Sequence, residues 1–193
     1  MAAATTKPEP ARSEARARLL ATAARIFYRE GIHAVGVDRL ISEAGITRAT
    51  FYRHFPSKDD LVRAYIELED RALRNLFADS AAHVSDPAEA LDVVLRGIAL
   101  DVQEHHTRGC PFLNAAAEFP DPHHPVRLAV RTHRDWFAQT LSDLVAATGR
   151  SNADDVARAL VLLRDSALVG AYVDGATDVV PAFLWTAHQI IDD

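Results

Sequence analysis

A single cysteine, Cys110, leaves the chain no internal disulfide framework and fits a reducing compartment. Eight glycines and nine prolines among 193 residues are too few for a collagen-like or low-complexity chain. No window approaches the ~18 consecutive apolar residues of a membrane-spanning helix. Met1 to Pro10 has no apolar core of signal-peptide length, so a cytoplasmic protein without a membrane partner is expected. Glycine-rich phosphate loops, a serine nucleophile elbow and paired carboxylates are also missing, which predicts no enzyme and no cofactor. The pairs His105-His106 and His123-His124 lack the i, i+4 spacing of a preformed helical metal site, so no metal is expected.

What is present is the ordinary mixture of a soluble globular chain, with 49% hydrophobic and 25% charged residues. Its length suits one generous domain or two small ones. The formal net charge of −6, taken whole, argues against a nucleic-acid partner. Divided by region, the charge says the opposite. Residues 1–63 hold eleven basic and seven acidic side chains, a balance of +4; the remainder holds ten and twenty, a balance of −10. A cationic third and an anionic two thirds suggest two parts with different tasks.

Periodicity is helical nearly throughout, and no strand-like alternation or internal repeat stands out. After an arm over 1–11, which Pro8 and Pro10 predict to be disordered, Leu19, Leu20, Ala23, Ile26 and Phe27 mark one face of a helix over 12–30. Gly31 stops it. A short helix over 37–44 ends at Gly45, and Thr47 is placed to cap a third that reaches His54. Pro56 breaks the pattern. Ser57, with Asp60 three residues on, is a near-miss to a capping box and opens a fourth helix towards Phe77 or Ala78. Further helices are expected over 87–106, 112–118, 126–148, 153–173 and 181–191, with Asn152 capping one and Pro181 opening the last. The fold class is therefore all-α with about nine helices, arranged as a head over 12–57 and a helical bundle over 58–193.

Residues 37–55 have the form of a helix-turn-helix. Two helices of two turns bury little by themselves and need a third, and the apolar face of the first helix supplies it. Gly45 provides the left-handed backbone of a tight turn. Phe51 and Phe55, one turn apart, pin the third helix to that core. At about 100° per residue, Ala49 and Arg53 then lie opposite Phe51, with Arg48 and Tyr52 on one shoulder. A small residue in the middle of that face permits close approach to a groove floor. Arg48, in the first turn, is the natural reader of base edges. Each residue also has a plainer reading: Tyr52 as a half-buried aromatic, Arg48 and Arg53 as solvated charges, Lys58 as a partner of its own helix end. Arg12, Arg16 and Arg18 form a basic stretch that either follows the minor groove or does nothing specific.

The segment Gly45-Ile-Thr-Arg-Ala-Thr-Phe-Tyr-Arg-His-Phe-Pro-Ser-Lys-Asp-Asp-Leu61 resembles the DNA-binding signature of the tetracycline-repressor (TetR) family of transcriptional regulators. The resemblance covers roughly Arg12 to Tyr65. It implies that Tyr52, His54 and Lys58 hold phosphates, that Thr47, Arg48 and Thr50 lie in or beside the major groove, and that Arg39 adds a backbone contact. Gly109-Cys-Pro-Phe112 is similar to a segment in the effector domains of one branch of that family.

For the anionic part, the resemblance implies a small-molecule effector bound between helices, and a homodimer formed through the last two long helices. Ala157, Leu160, Val161, Leu168 and Ala171, widened by Leu163, Ala167 and Tyr172, make a stripe broad enough for burial on two sides. Leu160, Leu163, Ala167, Ala171 and Trp185 are the expected dimer residues, and a helical hairpin within one monomer is the plainer alternative. Cys110, Phe112, Asn114, His133, Trp136 and Phe137 form the apolar-plus-polar mixture expected of a ligand site, or else ordinary core. The expected function is a ligand-responsive regulator, a repressor in the first instance, that binds a near-palindromic operator in double-stranded DNA. The rivals are a nucleoid-type DNA binder without an effector, and a helical small-molecule-binding or catalytic protein whose basic head is incidental.

Overall fold

The computed structural model describes residues 9–81 and 84–192, and these are helical apart from short connections. The helices are α1 (Glu9–Glu30), α2 (Val37–Ala44), α3 (Arg48–His54), α4 (Lys58–Ala81), α5 (Pro87–Leu100), α6 (Pro111–Glu118), α7 (Pro125–Ala147), α8 (Ala153–Asp174) and α9 (Ala176–Asp192). A single π-helical turn, Asp101–His105, continues directly from α5. The chain forms two compact units, one ending at Glu67 and one beginning at Leu68. The division therefore falls inside α4, and not at its start beside Ser57.

In the first unit the stripe expected on α1 is the core: Leu19, Ala23, Ile26 and Phe27 are buried with Leu40 and Ala44 of α2 and Phe51 of α3. Ala44 is followed by Gly45 at φ 60°, ψ 43°, whose N–H donates to Ser42 O while Ile46 N–H donates to Ile41 O. That pair of bonds is a Schellman closure, and it turns the chain into α3 within three residues. The expected arm is only partly outside the described residues: positions 1–8 are, whereas 9–11 open α1. Arg16 and Arg18 are not a free arm either. The Arg16 guanidinium lies 5.0 Å from the Phe55 ring centre, and Arg18 Nε donates to Ala44 O at 3.2 Å.

Ser57 and Asp60 complete a reciprocal capping box. Asp60 N–H donates to Ser57 Oγ, and Ser57 N–H to Asp60 Oδ2, both at 3.1 Å. The shorter aspartate does the work usually given to glutamate.

In the second unit α8 packs along both α7 and α9, and α5 lies against α7 and α9. Two boundaries differ from expectation. Asn152 sits at the start of α8 without capping it, because its Oδ1 accepts from Arg150 Nε at 3.2 Å. α9 begins at Ala176, separated from α8 by Gly175 alone, and Pro181 lies inside it. At the sixth position of α9, Pro181 removes the bond that an N–H there would give to Thr177 O, so the helix runs with one missing i→i−4 link just after its first turn. The expected helix over 87–106 is interrupted after Leu100 by the π turn.

Candidate nucleic-acid interface and body cavity

α3 is seven residues long, and its register is held from two sides. Thr47 Oγ1 accepts from Thr50 N–H at 3.1 Å at the start, and Phe51 is fully buried. With Phe51 fixed inward, Arg48, Ala49, Tyr52 and Arg53 are exposed, while Thr50 and His54 are half-buried at the edges. Tyr52 stands edge-on against Phe51, with ring centres 5.1 Å apart. α3 contains no acidic residue, so its outward face is cationic.

The charges around it are not idle. Arg48 Nη2 pairs with Asp38 in the first turn of α2. Arg53 Nη2 donates to Thr50 Oγ1 at 3.4 Å. Lys58 Nζ lies 5.9 Å from the Phe27 ring centre. Arg39 is the most encumbered of the expected contacts. Both its amino groups bond Glu30, with Nη2–Oε1 at 2.8 Å, and Nη2 also reaches Glu43 at 3.5 Å. Its hydrogen bonds to Glu30 raise its pKa further above the usual guanidinium value. Arg25, bonded to Glu43 at 3.1 Å, lowers the Glu43 pKa. Any Arg39–phosphate contact must therefore compete with two carboxylates.

The body holds a cleft between α4, α5, α7 and α8. Its outer lobe is bordered by Arg74, Val93, Trp136, Thr140 and Leu144, and its inner lobe by Leu73, Ile98, Phe137, Asp101 and Arg164. Phe77, Ser80, Val93 and Val94 border both, so the lobes adjoin. The outer lobe has a cavity volume of about 280 Å³, close to the lower end of small-molecule sites, and the inner lobe adds about 30 Å³, room for a single small polar group.

Of the six ligand residues expected from sequence, Trp136 and Phe137 line this cleft. The other four are not among its lining residues. Cys110 is buried with Sγ 3.7 Å from Arg164 Nη1. Phe112 is buried and stacks flat on the His133 ring at 3.5 Å. Asn114 Nδ2 donates to Arg108 O at 3.1 Å, closing the turn in which Gly109 takes φ 79°. His133 is buried, with Nδ1 2.9 Å from Asp70 Oδ1 and Nε2 lacking a hydrogen-bond partner among the described residues.

Burial, outweighing the Asp70 hydrogen bond and helped by Arg164 and Arg74, drives the His133 pKa down to about 4, so this imidazole is neutral. His106 is the converse: burial pushes it down, but hydrogen bonds with Asp101 and Glu69 prevail and raise its pKa to about 9. The π turn makes that possible. His106 N–H donates to Asp101 O at 2.9 Å, and His106 Nδ1 meets Asp101 Oδ2 at 2.8 Å, an i, i+5 pair that regular α-helix would point apart.

Sequence reasoning missed Arg164 and Asp101. Arg164 carried a signal: it lies one turn from both Leu160 and Leu168 on the buried stripe of α8, where a charge is costly.

Of the expected dimer residues, Leu160 and Ala167 fill the protomer's own core, Leu163 and Ala171 are half-buried, and Trp185 is 67% exposed. The outward apolar stripe is instead Leu162, Val169 and Val173 of α8, with Tyr172 beside it. Among the described residues no three His, Cys, Asp or Glu side chains gather as a metal site, and no helix is long and apolar enough to cross a membrane.

A short, capped, cationic helix held on a two-helix support is the architecture of a helix-turn-helix DNA-binding regulator. Residues 19–65 match the family of bacterial regulatory proteins of the tetR type, and residues 87–172 match the tetracyclin repressor-like C-terminal domain. The solved structure of a TetR-family transcriptional regulator from Streptomyces coelicolor is 44% identical, with TM-score 0.90 over 94% of this chain and 96% of that one. The HTH-type transcriptional regulator EthR of Mycolicibacterium smegmatis is 27% identical over 89% of this chain and 81% of its own. LmrA of Bacillus subtilis, also an HTH-type transcriptional regulator, is 26% identical over 72% and 76% respectively. The chain belongs to the TetR family of transcriptional regulators: it is a DNA-binding regulator and not an enzyme.

Proposed function

We propose that this regulator is a cytoplasmic repressor that binds a near-palindromic operator as a homodimer and is released when a small molecule enters the body cleft. The observation that carries the reading is the pairing of two features in one chain: an acid-free outward face on α3, and an apolar cleft in a body of opposite net charge. Arg48, Ala49, Thr47 and Thr50 face the major groove; Tyr52, Arg53, His54 and Lys58 hold phosphates. Arg39 joins them only if it leaves Glu30. Two copies meet through exposed apolar residues of α8 and α9, Val173 and Trp185 among them, and their two recognition helices enter successive major grooves about 34–36 Å apart. The anionic body repels the duplex and leaves the head as the docking surface. The Gly109–Phe112 segment lies within the matched C-terminal domain and supports a place in the branch that carries it.

The test is selection of bound fragments from random duplex DNA with the full-length protein, followed by binding titrations across salt. A palindromic consensus and a steep fall of affinity with salt are expected. Lys58→Ala should weaken all duplexes alike and lower the salt slope by about one. A protein that selects no consensus, or whose DNA affinity ignores salt, would remove the operator reading. A metabolite screen for release from the selected operator then tests the effector.

A further inference from the structure

Arg164 is 4% exposed, on the buried stripe of α8, and lines the inner lobe of the cleft. Three contacts fix its guanidinium. The Phe137 ring lies 4.9 Å beneath it, Cys110 Sγ is 3.7 Å from Nη1, and Asp165 Oδ1 is 3.5 Å from the same Nη1. Asp165 is a weak counter-ion here, because its other oxygen is held at 2.8 Å by Arg134. All of the guanidinium's hydrogen bonds among the described residues thus run through Nη1. The opposite edge, Nε–H and Nη2–H, has no acceptor among the described residues. Those two parallel donors have the spacing of a carboxylate's two oxygens, and they are not among the fully buried atoms that lack a partner, so the fork keeps access to the lobe that Arg164 lines.

The rest of the lobe narrows the choice. Leu73, Phe77, Val94, Ile98 and Phe137 supply apolar and aromatic walls. Asp101 is the one acidic residue lining it among the described residues, and its Oδ2 is committed to His106 at 2.8 Å. His133, on the neighbouring face of α7, is neutral and bonded to Asp70. A second cation on the ligand would find only Asp101, already matched by an imidazolium. We propose that the cleft binds an apolar monocarboxylate, whose carboxylate takes the Nε/Nη2 fork of Arg164 in the inner lobe while its hydrocarbon runs past Phe77 into the outer lobe. This rests on the reading of the cleft as the effector site and names the chemical class of the effector. It also gives the Gly109–Phe112 segment a part: Cys110 holds Nη1, so that the fork faces the lobe.

The test uses full-length protein, calorimetric or fluorescence binding, and two matched probe pairs: phenylbutyrate with phenylbutanol, and decanoate with decanol. The wild type should prefer the acid over the alcohol by at least about tenfold in one pair or both, the gain of a bidentate charged contact. Arg164→Met, which keeps volume without a buried charge, should abolish that preference and leave alcohol binding within about threefold. Arg164→Lys should recover only part of it, since an ammonium has no fork. If the methionine variant fails to fold, methyl decanoate against decanoate in the wild type decides: equal affinity overturns the proposal. Equal acid and alcohol binding, a preference that survives Arg164→Met, or no binding of either pair overturns it as well. DNA release is measured in parallel. Carboxylate binding that depends on Arg164 but leaves operator affinity unchanged would overturn the effector reading and leave the site standing. Release by uncharged compounds alone would do the reverse.

Discussion

Arg48, the first residue of α3, reaches back to form an ion pair with Asp38 in the first turn of α2, so the side chain proposed above as the base reader is held by an acid of the same head. Both side chains are largely exposed, so the pair adds little to stability. Its effect is on availability. Asp38→Asn should raise affinity for non-specific duplex by a few-fold and leave thermal unfolding unchanged, as fluorescence anisotropy and calorimetry would show. Arg48→Ala should cost about 1–3 kcal/mol at the operator and less elsewhere. A uniform loss across all sequences would make Arg48 a phosphate contact instead.

Gly45 separates backbone strain from sterics. Its φ of 60° is left-handed, and a Cβ built there meets nothing within 4 Å. Gly45→Ala should therefore destabilise by about 1–2 kcal/mol through backbone conformation alone. Gly45→Asn should cost less, because asparagine tolerates that region. Urea unfolding of the two variants against wild type gives the comparison, and equal losses would place the cost elsewhere.

The two histidines of the body give its stability an optimum. His106, raised to about 9, binds a proton in the folded state that the unfolded chain releases near 6.5, so its contribution is full below 6.5 and fades as pH climbs through 9. His133, lowered to about 4, stays neutral when folded while the unfolded chain takes up a proton, so stability also fades as pH falls from 6.5 towards 4. Denaturation midpoints should peak between these limbs. His106→Gln should flatten the alkaline limb and His133→Gln the acid one; a variant that shifts the curve without changing either slope would contradict the assignment.

The α8–α9 surface makes a prediction about assembly. Val173 and Trp185 are 69% and 67% exposed, so charges placed there should alter the folded protomer by less than about 0.5 kcal/mol. The double variant Val173→Glu, Trp185→Glu should nonetheless sediment as a monomer and lose operator affinity. A dimer that survives both changes would move the interface off this face.

What could be read from sequence was local chemistry. Thr47, Gly45 and the Ser57–Asp60 pair each act through backbone groups two to five residues away, and the head followed from them. The body was less legible because its decisive features are differences between neighbours on one stripe. Leu160 and Leu162 are alike in a hydrophobicity pattern, yet the first is fully buried and the second 66% exposed. Arg164 interrupts an apolar run and looks like noise until its surroundings are seen. Pro181 reads as a helix start, and only the single-residue connection at Gly175 puts the start earlier. Residues 101–105 keep a helical appearance whether or not the turn holds an extra residue.

That extra residue is absorbed within one turn, and the segment should tolerate its loss. A π turn is an α-helix with one residue inserted, so deleting any one of Gln103, Glu104 or His105 would restore regular winding and bring His106 to the fourth position after Asp101, a spacing that keeps both on one face. The pair would persist, and the carboxylate on the wall of the inner lobe would keep its cation. The exposed side chains here are replaceable in kind and by one in number; Asp101 and His106 are not.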